Sequence, residues 1–161
     1  MKKYRLTNKT ITVTRNGKEV TLHRIEALRD FWDIKAGDLG GYVESEANLS
    51  HEGNCWVDDN AEVCGSAKIY GNALVDDNAE VSGFAEVHGD AKVSNNAEVY
   101  GNTDVYGNAK IFGNALVYDN AEVFGNAWVY GEAEVFGNAW VYGSAVVYRM
   151  DKVCGDTELS T

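Results

Sequence analysis

Residues 97–144 read AEVYGN TDVYGN AKIFGN ALVYDN AEVFGN AWVYGE AEVFGN AWVYGS, the same six-residue phrase again and again. The phrase extends outward without gaining or losing a residue, so that an aliphatic side chain falls at 18 evenly spaced positions from Val57 to Leu159. A small residue, nearly always Ala, stands two places before each one, from Cys55 onward. Alternate inward residues within a period of six predict a short strand followed by a two-residue corner, one side of a parallel β-helix. Three such sides close a coil, so the 18 beats predict about six regular coils. Stacked at about 4.8 Å each, they give a shaft of about 29 Å. A helical repeat would need a period near 3.6, and an antiparallel meander would need alternating turn chemistry.

The corners carry independent information. Two places after the aliphatic the residue is Gly at most beats, and otherwise Asp59, Asp77, Asn95, Asp119, Arg149 or Thr161. Gly, Asn and Asp tolerate a left-handed backbone, so a positive φ is expected there. Asn commonly follows, as at Asn60, Asn78, Asn102 and Asn120, where stacked amides are placed to bond from coil to coil. The chain has no proline.

At 161 residues the chain is a single elongated domain. It shows no secretory signal, transmembrane run or lipidation motif, which makes a cytoplasmic location the expectation and membrane an unexpected partner. Cys64 and Cys154 fall on one side, five coils apart, about 24 Å by the strand spacing and beyond disulfide reach. Cys55 occupies an inward small-residue slot as core filling. The net charge of −11 is unevenly spread: residues 1–40 carry nine of the 14 Lys and Arg against five acids, and the remainder five bases against 20 acids. An acidic shaft repels duplex nucleic acid along its length, so any phosphate-bearing ligand is expected near the basic cap.

Residues 1–54 break the rhythm and read as an N-terminal cap with a hairpin and a first imperfect coil; residues 55–161 form the hexapeptide-repeat β-helix. Thr10 to Thr14 and Glu19 to His23 flank Asn16-Gly17, a type I′ hairpin signal. Arg24 to Asp33 reads equally as a short helix or a continued strand. From Leu49 to Val57 the spacing is eight, so two extra residues bulge around His51-Glu52. Breaks of this kind in a solenoid often map to its functional rim.

These hexads resemble the left-handed β-helix of the hexapeptide-repeat superfamily, which includes acyl- and nucleotidyltransferase subunits and γ-class carbonic anhydrases, commonly trimeric. The fold class implied is all-β, and the left hand comes from the resemblance alone. The cap wording, Ile25-Glu-Ala-Leu-Arg-Asp-Phe through Gly37-Asp-Leu-Gly-Gly and Leu49 to Val57, is similar to phage and bacterial hexapeptide-repeat proteins labelled transferases or polymer-forming proteins. If phage-encoded, the protein would work in the host cytoplasm. Acyltransferases of the superfamily typically use a histidine as general base and often carry a long loop for acyl-CoA. This chain has no such loop, and only His88 or His51 is placed to serve as the base. The three histidines of a γ-class carbonic anhydrase have no match in the spacing of His23, His51 and His88, so zinc is not expected, nor any cofactor.

Three further features call for a role. Asp58-Asp59 and Asp76-Asp77 lie 18 residues apart and stack as an acid corner, which either offers hard oxygen ligands to Ca²⁺ or is solvated. Outward aromatic columns run up the shaft, one made of Phe112, Tyr130 and Tyr148 beside Trp128 and Val146, another of Tyr70, His88, Tyr106, Phe124 and Tyr142. They stabilise the shaft by mutual packing, or they are covered by another chain. The second option predicts a homo-oligomer, a trimer by resemblance, with Phe112, Trp128, Tyr130, Val146 and Tyr148 at the interface. Arg24, Arg29, Lys35, His51 and Trp56 gather near the cap as a candidate site for a small, flat, nucleotide-like anion, with Arg pairing phosphate and Trp56 as stacking platform. The reading that follows is a non-catalytic binder; by resemblance to phage sponge proteins it would sequester cyclic-nucleotide immune signals and so serve immune evasion. An acyltransferase and a structural assembly module are the alternatives.

Overall fold

The computed structural model describes all 161 residues and contains no α-helix. Each hexad contributes a strand of two or three residues, and strands 18 positions apart pair in parallel, Glu62-Val63 with Glu80-Val81 and Lys92-Val93 with Lys110-Ile111, for example. The result is a three-faced parallel β-helix. The first face carries Val57, Val75, Val93, Ile111, Val129 and Val147, the second Val63 through Val153, and the third Ile69 through Leu159. Together with the first imperfect coil there are about seven turns. Inside, the Ala and Val positions are buried from Cys55 to Val153 as one continuous column. Ala recurs at the narrow points because three chain segments converge there and a larger side chain would overpack them.

Positive φ occurs at every corner from Asp59 to Gly155, the non-glycine corners Asp59, Asp77, Asn95, Asp119 and Arg149 falling between 51° and 63°. Gly101 shows why glycine dominates: a Cβ there would come within 2.7 Å of the Asp119 carbonyl oxygen one coil on. The adjoining amides bond vertically, as in Asn102 to Asn120 and Asn120 to Asn138, both at 3.2 Å. Each corner is thus fixed by backbone geometry and by its neighbours above and below.

Strand β1 (Tyr4–Arg15) and strand β2 (Lys18–Ala27) form the hairpin, turning through Asn16 (φ 49°) and Gly17 (φ 74°) as a type I′ turn requires. The unsettled stretch from Arg24 is therefore strand as far as Ala27, and the helical option falls away. Strand β3 (Leu39–Val43) pairs antiparallel with β2 and parallel with Glu62-Val63, joining the cap to the second face. Arg15 bonds both Glu62, at 2.6 Å, and Glu80, at 2.8 Å, which draws the hairpin tip down over two coils.

The top coil has no strand above it, and side chains stand in for one. Asn48, in the 3₁₀ turn Glu46–Asn48, donates its amide to the Gly65 and Ala67 carbonyls. Tyr4 donates its hydroxyl to the Leu49 carbonyl at 2.7 Å, and the fully buried Lys3 donates to the Cys55 carbonyl at 2.7 Å. Buried carbonyls left without such donors would each cost about 1–3 kcal/mol. All three cysteines are free, Cys55 and Cys64 buried and Cys154 exposed. No helix is long and apolar enough to cross a membrane.

Candidate functional site

The connection from β2 to β3 turns sharply at Phe31–Ile34, whose backbones exchange two hydrogen bonds of 2.9 and 3.1 Å. Asp30 accepts from the Ala36 amide at 3.0 Å and Asp38 from the Lys35 amide at 2.8 Å, so the bend is held from both sides. Phe31 points inward onto Trp56 while its neighbour Trp32, at φ 49°, is 61% exposed. A tryptophan in the left-handed region is sterically costly and persists only where surrounding structure imposes it. Here the bend projects the indole over the first face.

Beneath it runs a groove of about 350 Å³, lined by Trp32, Leu74, Lys92, Lys110 and the corner residues Asn72 and Asp90, among others. Lys92 and Lys110 are direct partners in the parallel ladder. Like charges opposed in this way destabilise a sheet, and only one of them has an acid: Lys92 pairs with Asp76 at 2.7 Å. Lys110 instead lies over the Trp128 ring, 5.1 Å from its centroid. Burial pushes the Asp76 carboxyl up despite Lys92, and its Oδ1 has no partner. The groove lining therefore combines the Trp32 indole, the apolar Leu74 and Ala91, two lysines and the Asp90 carboxylate.

None of the five residues singled out in the cap lines it. Arg24 lies on the Tyr42 ring and reaches the Asp59 carbonyl. Arg29 lies over Phe31, and Lys35 pairs with Asp30. His51 stacks on Tyr4, ring centroids 4.3 Å apart, and accepts from the Lys3 amide. Trp56 is fully buried, so it is core filling under the cap and no stacking platform. Its position before the aliphatic faces outward elsewhere on the shaft, but at the first regular coil the cap packs over it.

His88 sits within a continuous stack of Tyr70, His88, Tyr106, Phe124 and Tyr142, centroids 4.6 to 5.2 Å apart and rings parallel within 6°. Its Nε2 is 2.9 Å from Asp104. Tyr70 bonds Glu86 at 2.8 Å and Tyr106 bonds Glu122 at 3.4 Å, each through a carboxylate 16 residues on. On the second face Tyr118 repeats the pattern with Glu134, in a third column with Tyr100 and Phe136; burial and the Glu134 bond push the Tyr118 hydroxyl up to about 12. His88–Asp104 is thus one rung of a repeating ring–carboxylate ladder. His88→Tyr is expected to keep the melting temperature within about 2 °C of wild type, whereas His88→Ala loses about 1 kcal/mol of stacking. Equal damage from both, by thermal melting, would remove the ladder role.

The acid corner is likewise occupied. Asp77 accepts from the backbone and side-chain amides of Asn95 at 3.0 and 2.8 Å, and Asp76 is held by Lys92. No three His, Cys, Asp or Glu side chains, Asp58 and Asp59 included, converge as metal ligands would. On the first face Phe112, Tyr130 and Tyr148 stack, with Trp128 edge-on to Phe112. Trp128, Val146 and Tyr148 are 41%, 47% and 38% exposed, a contiguous apolar strip below the groove.

Residues 133–149 match the family described as YdcK beta solenoid repeat. Over 74 residues the chain is 42% identical to a protein of Escherichia coli (strain K12) named "Uncharacterized acetyltransferase YdcK". The repeat match, the relative and the three-faced coil agree. The chain is similar to the hexapeptide-repeat superfamily in its repeat. The likeness to the relative covers 43% of this chain and 23% of the relative, so the chain spans about a quarter of that protein's length. What is shared is the repeat.

Proposed function

We propose that this hexapeptide-repeat protein binds a small planar anion of the nucleotide class in the groove under Trp32 and holds it without turnover. The observation that carries this reading is the opposed pair Lys92 and Lys110 beneath an exposed indole. An anion bridging the two ammonium groups relieves their repulsion, and a flat ring stacks on Trp32. The bacterial relative lends no support to a phage origin or to sequestration of cyclic nucleotides, so the proposal is confined to the chemistry of the ligand. A second copy of the chain is the proposed cover for the strip at Phe112, Trp128, Tyr130, Val146 and Tyr148, in a trimer if the superfamily's habit holds. Light scattering that returned a monomer mass would remove that part alone.

Acyl transfer is the second reading, favoured by the name of the relative and by the carboxylate-paired His88. Thermal-shift titration with nucleoside phosphates and with acetyl-CoA separates the two. Saturation at about 100 times Kd adds about 2.7 kcal/mol to stability, a rise of several degrees for a domain of this size. The binding reading expects that rise with a nucleoside phosphate, which is recovered unchanged after heat release. Acetyl-CoA consumed in the presence of an amine or alcohol acceptor would replace it with the transferase reading.

A further inference from the structure

Lys3 and Cys55 are 52 residues apart in sequence and meet in the sealed top of the solenoid, where Lys3 Nζ lies 3.2 Å from Cys55 Sγ. Both side chains are fully buried. The two extra residues of the first coil make this chamber: the carbonyls of Gly53 and Cys55 face Nζ at 3.4 and 2.7 Å, and the Phe31 ring covers it at 5.2 Å. Lys3 makes no ion pair, which is unusual for a buried lysine and removes the usual reason for keeping it charged. The structural role of the amine, donating to free carbonyls, accounts for its nitrogen being there. It does not require a thiol beside it, since the other inward small positions of the regular shaft from Ala61 to Ala145 are almost all Ala.

We propose that Lys3 and Cys55 are the site of a reversible covalent N–O–S bridge that staples the N-terminal segment to the first coil. The amine and the thiol react with one molecule of dioxygen. The N–H and S–H bonds break, N–O and O–S bonds form through one oxygen atom, and the other oxygen leaves as water with the remaining two hydrogens. Nitrogen and sulfur each lose two electrons, and dioxygen takes up all four. Two dithiol molecules return the amine, the thiol and a second water, themselves becoming disulfides. A bridge of one atom fits a pair already in contact, with Lys3 Nζ and Cys55 Sγ 3.2 Å apart. Burial pushes the Lys3 amine down, which favours the neutral amine whose lone pair forms the N–O bond, and pushes the Cys55 thiol up, so sulfur enters the step as S–H.

The test is mass spectrometry of the full chain, stored in air, alkylated and digested without reductant. The expected product joins the peptide containing Lys3 to that containing Cys55, with one added oxygen and two hydrogens lost, and dithiothreitol releases both. Closing a loop of this length raises the melting temperature by several degrees over the reduced protein. Lys3→Arg, which keeps donors for the carbonyls, and Cys55→Ser each abolish the joined species. Recovery of Cys55 alkylated as a free thiol with Lys3 unmodified would overturn the proposal. So would Cys55 oxidised alone, or a joined species lacking the oxygen. Because the decisive reading is made on the unaltered protein, poor folding of either variant leaves it intact.

Discussion

Valine in place of Gly40 is expected to cost at least about 3 kcal/mol of unfolding free energy and to detach the cap from the shaft. Gly40 is buried in β3 where that strand is squeezed between β2 and the first regular coil. A Cβ there would press on the Val57 carbonyl oxygen and come within 2.6 Å of the Trp56 ring and 2.8 Å of the Ile25 side chain. Gly41 is equally confined, with the Ala61 carbonyl oxygen at 2.6 Å. Inserting bulk into a packed core typically costs about 1–3 kcal/mol, and more when the obstacle is backbone. The Val57 carbonyl belongs to a strand and cannot swing aside as a side-chain tip would. Denaturant titration measures the loss, with Gly17→Asn at the open hairpin tip as the comparison, where less than about 1 kcal/mol is expected. If the two variants unfold together, the cap is not seated as described.

The fold was legible because the repeat leaves little choice. With period six, inward residues at alternate positions and Gly, Asn or Asp at the corner, the register of every coil follows, and the positive φ at Asp59, Asp77, Asn95 and Asp119 agrees with that reading. The hairpin at Asn16-Gly17 was equally plain. The groove was not, because its roof comes from residues 28–38, a stretch without periodicity. Trp32 gains its position from a bend fixed by Asp30 and Asp38, and nothing in the order of residues distinguishes it from a core tryptophan. Trp56 misled in the opposite sense, since its hexad position is outward and only the cap makes it inward. Lys3 had no signal at all: a lysine outside the repeat is ordinarily solvated, and its burial follows from the open carbonyls of a coil that has no strand above it. Lys92 and Lys110, by contrast, were visible 18 residues apart. Positive charge is densest in the cap, but these two lysines matter because they are opposed.

That opposition makes the second large effect testable. Changing Lys92 and Lys110 together to Gln is expected to weaken nucleoside-phosphate binding by at least about 100-fold. Each charge-assisted contact is worth about 1.5–3 kcal/mol, and about 2.7 kcal/mol corresponds to that factor. The unliganded protein should change little in stability, because relief of the lysine repulsion offsets the loss of the Lys92–Asp76 pair. Asp76, already pushed up by its burial, then takes a proton more readily than before. Trp32→Ala probes the roof separately: the side chain is 61% exposed, so its loss leaves the fold intact. Removing one stacking platform costs about 1–3 kcal/mol of affinity. Isothermal titration of the three proteins with one nucleoside monophosphate reads both effects. Reduced affinity in Trp32→Ala with none in the lysine pair would mean a neutral aromatic ligand in the same groove. Unchanged affinity in both would move the ligand elsewhere on the shaft and leave the opposed lysines without a purpose.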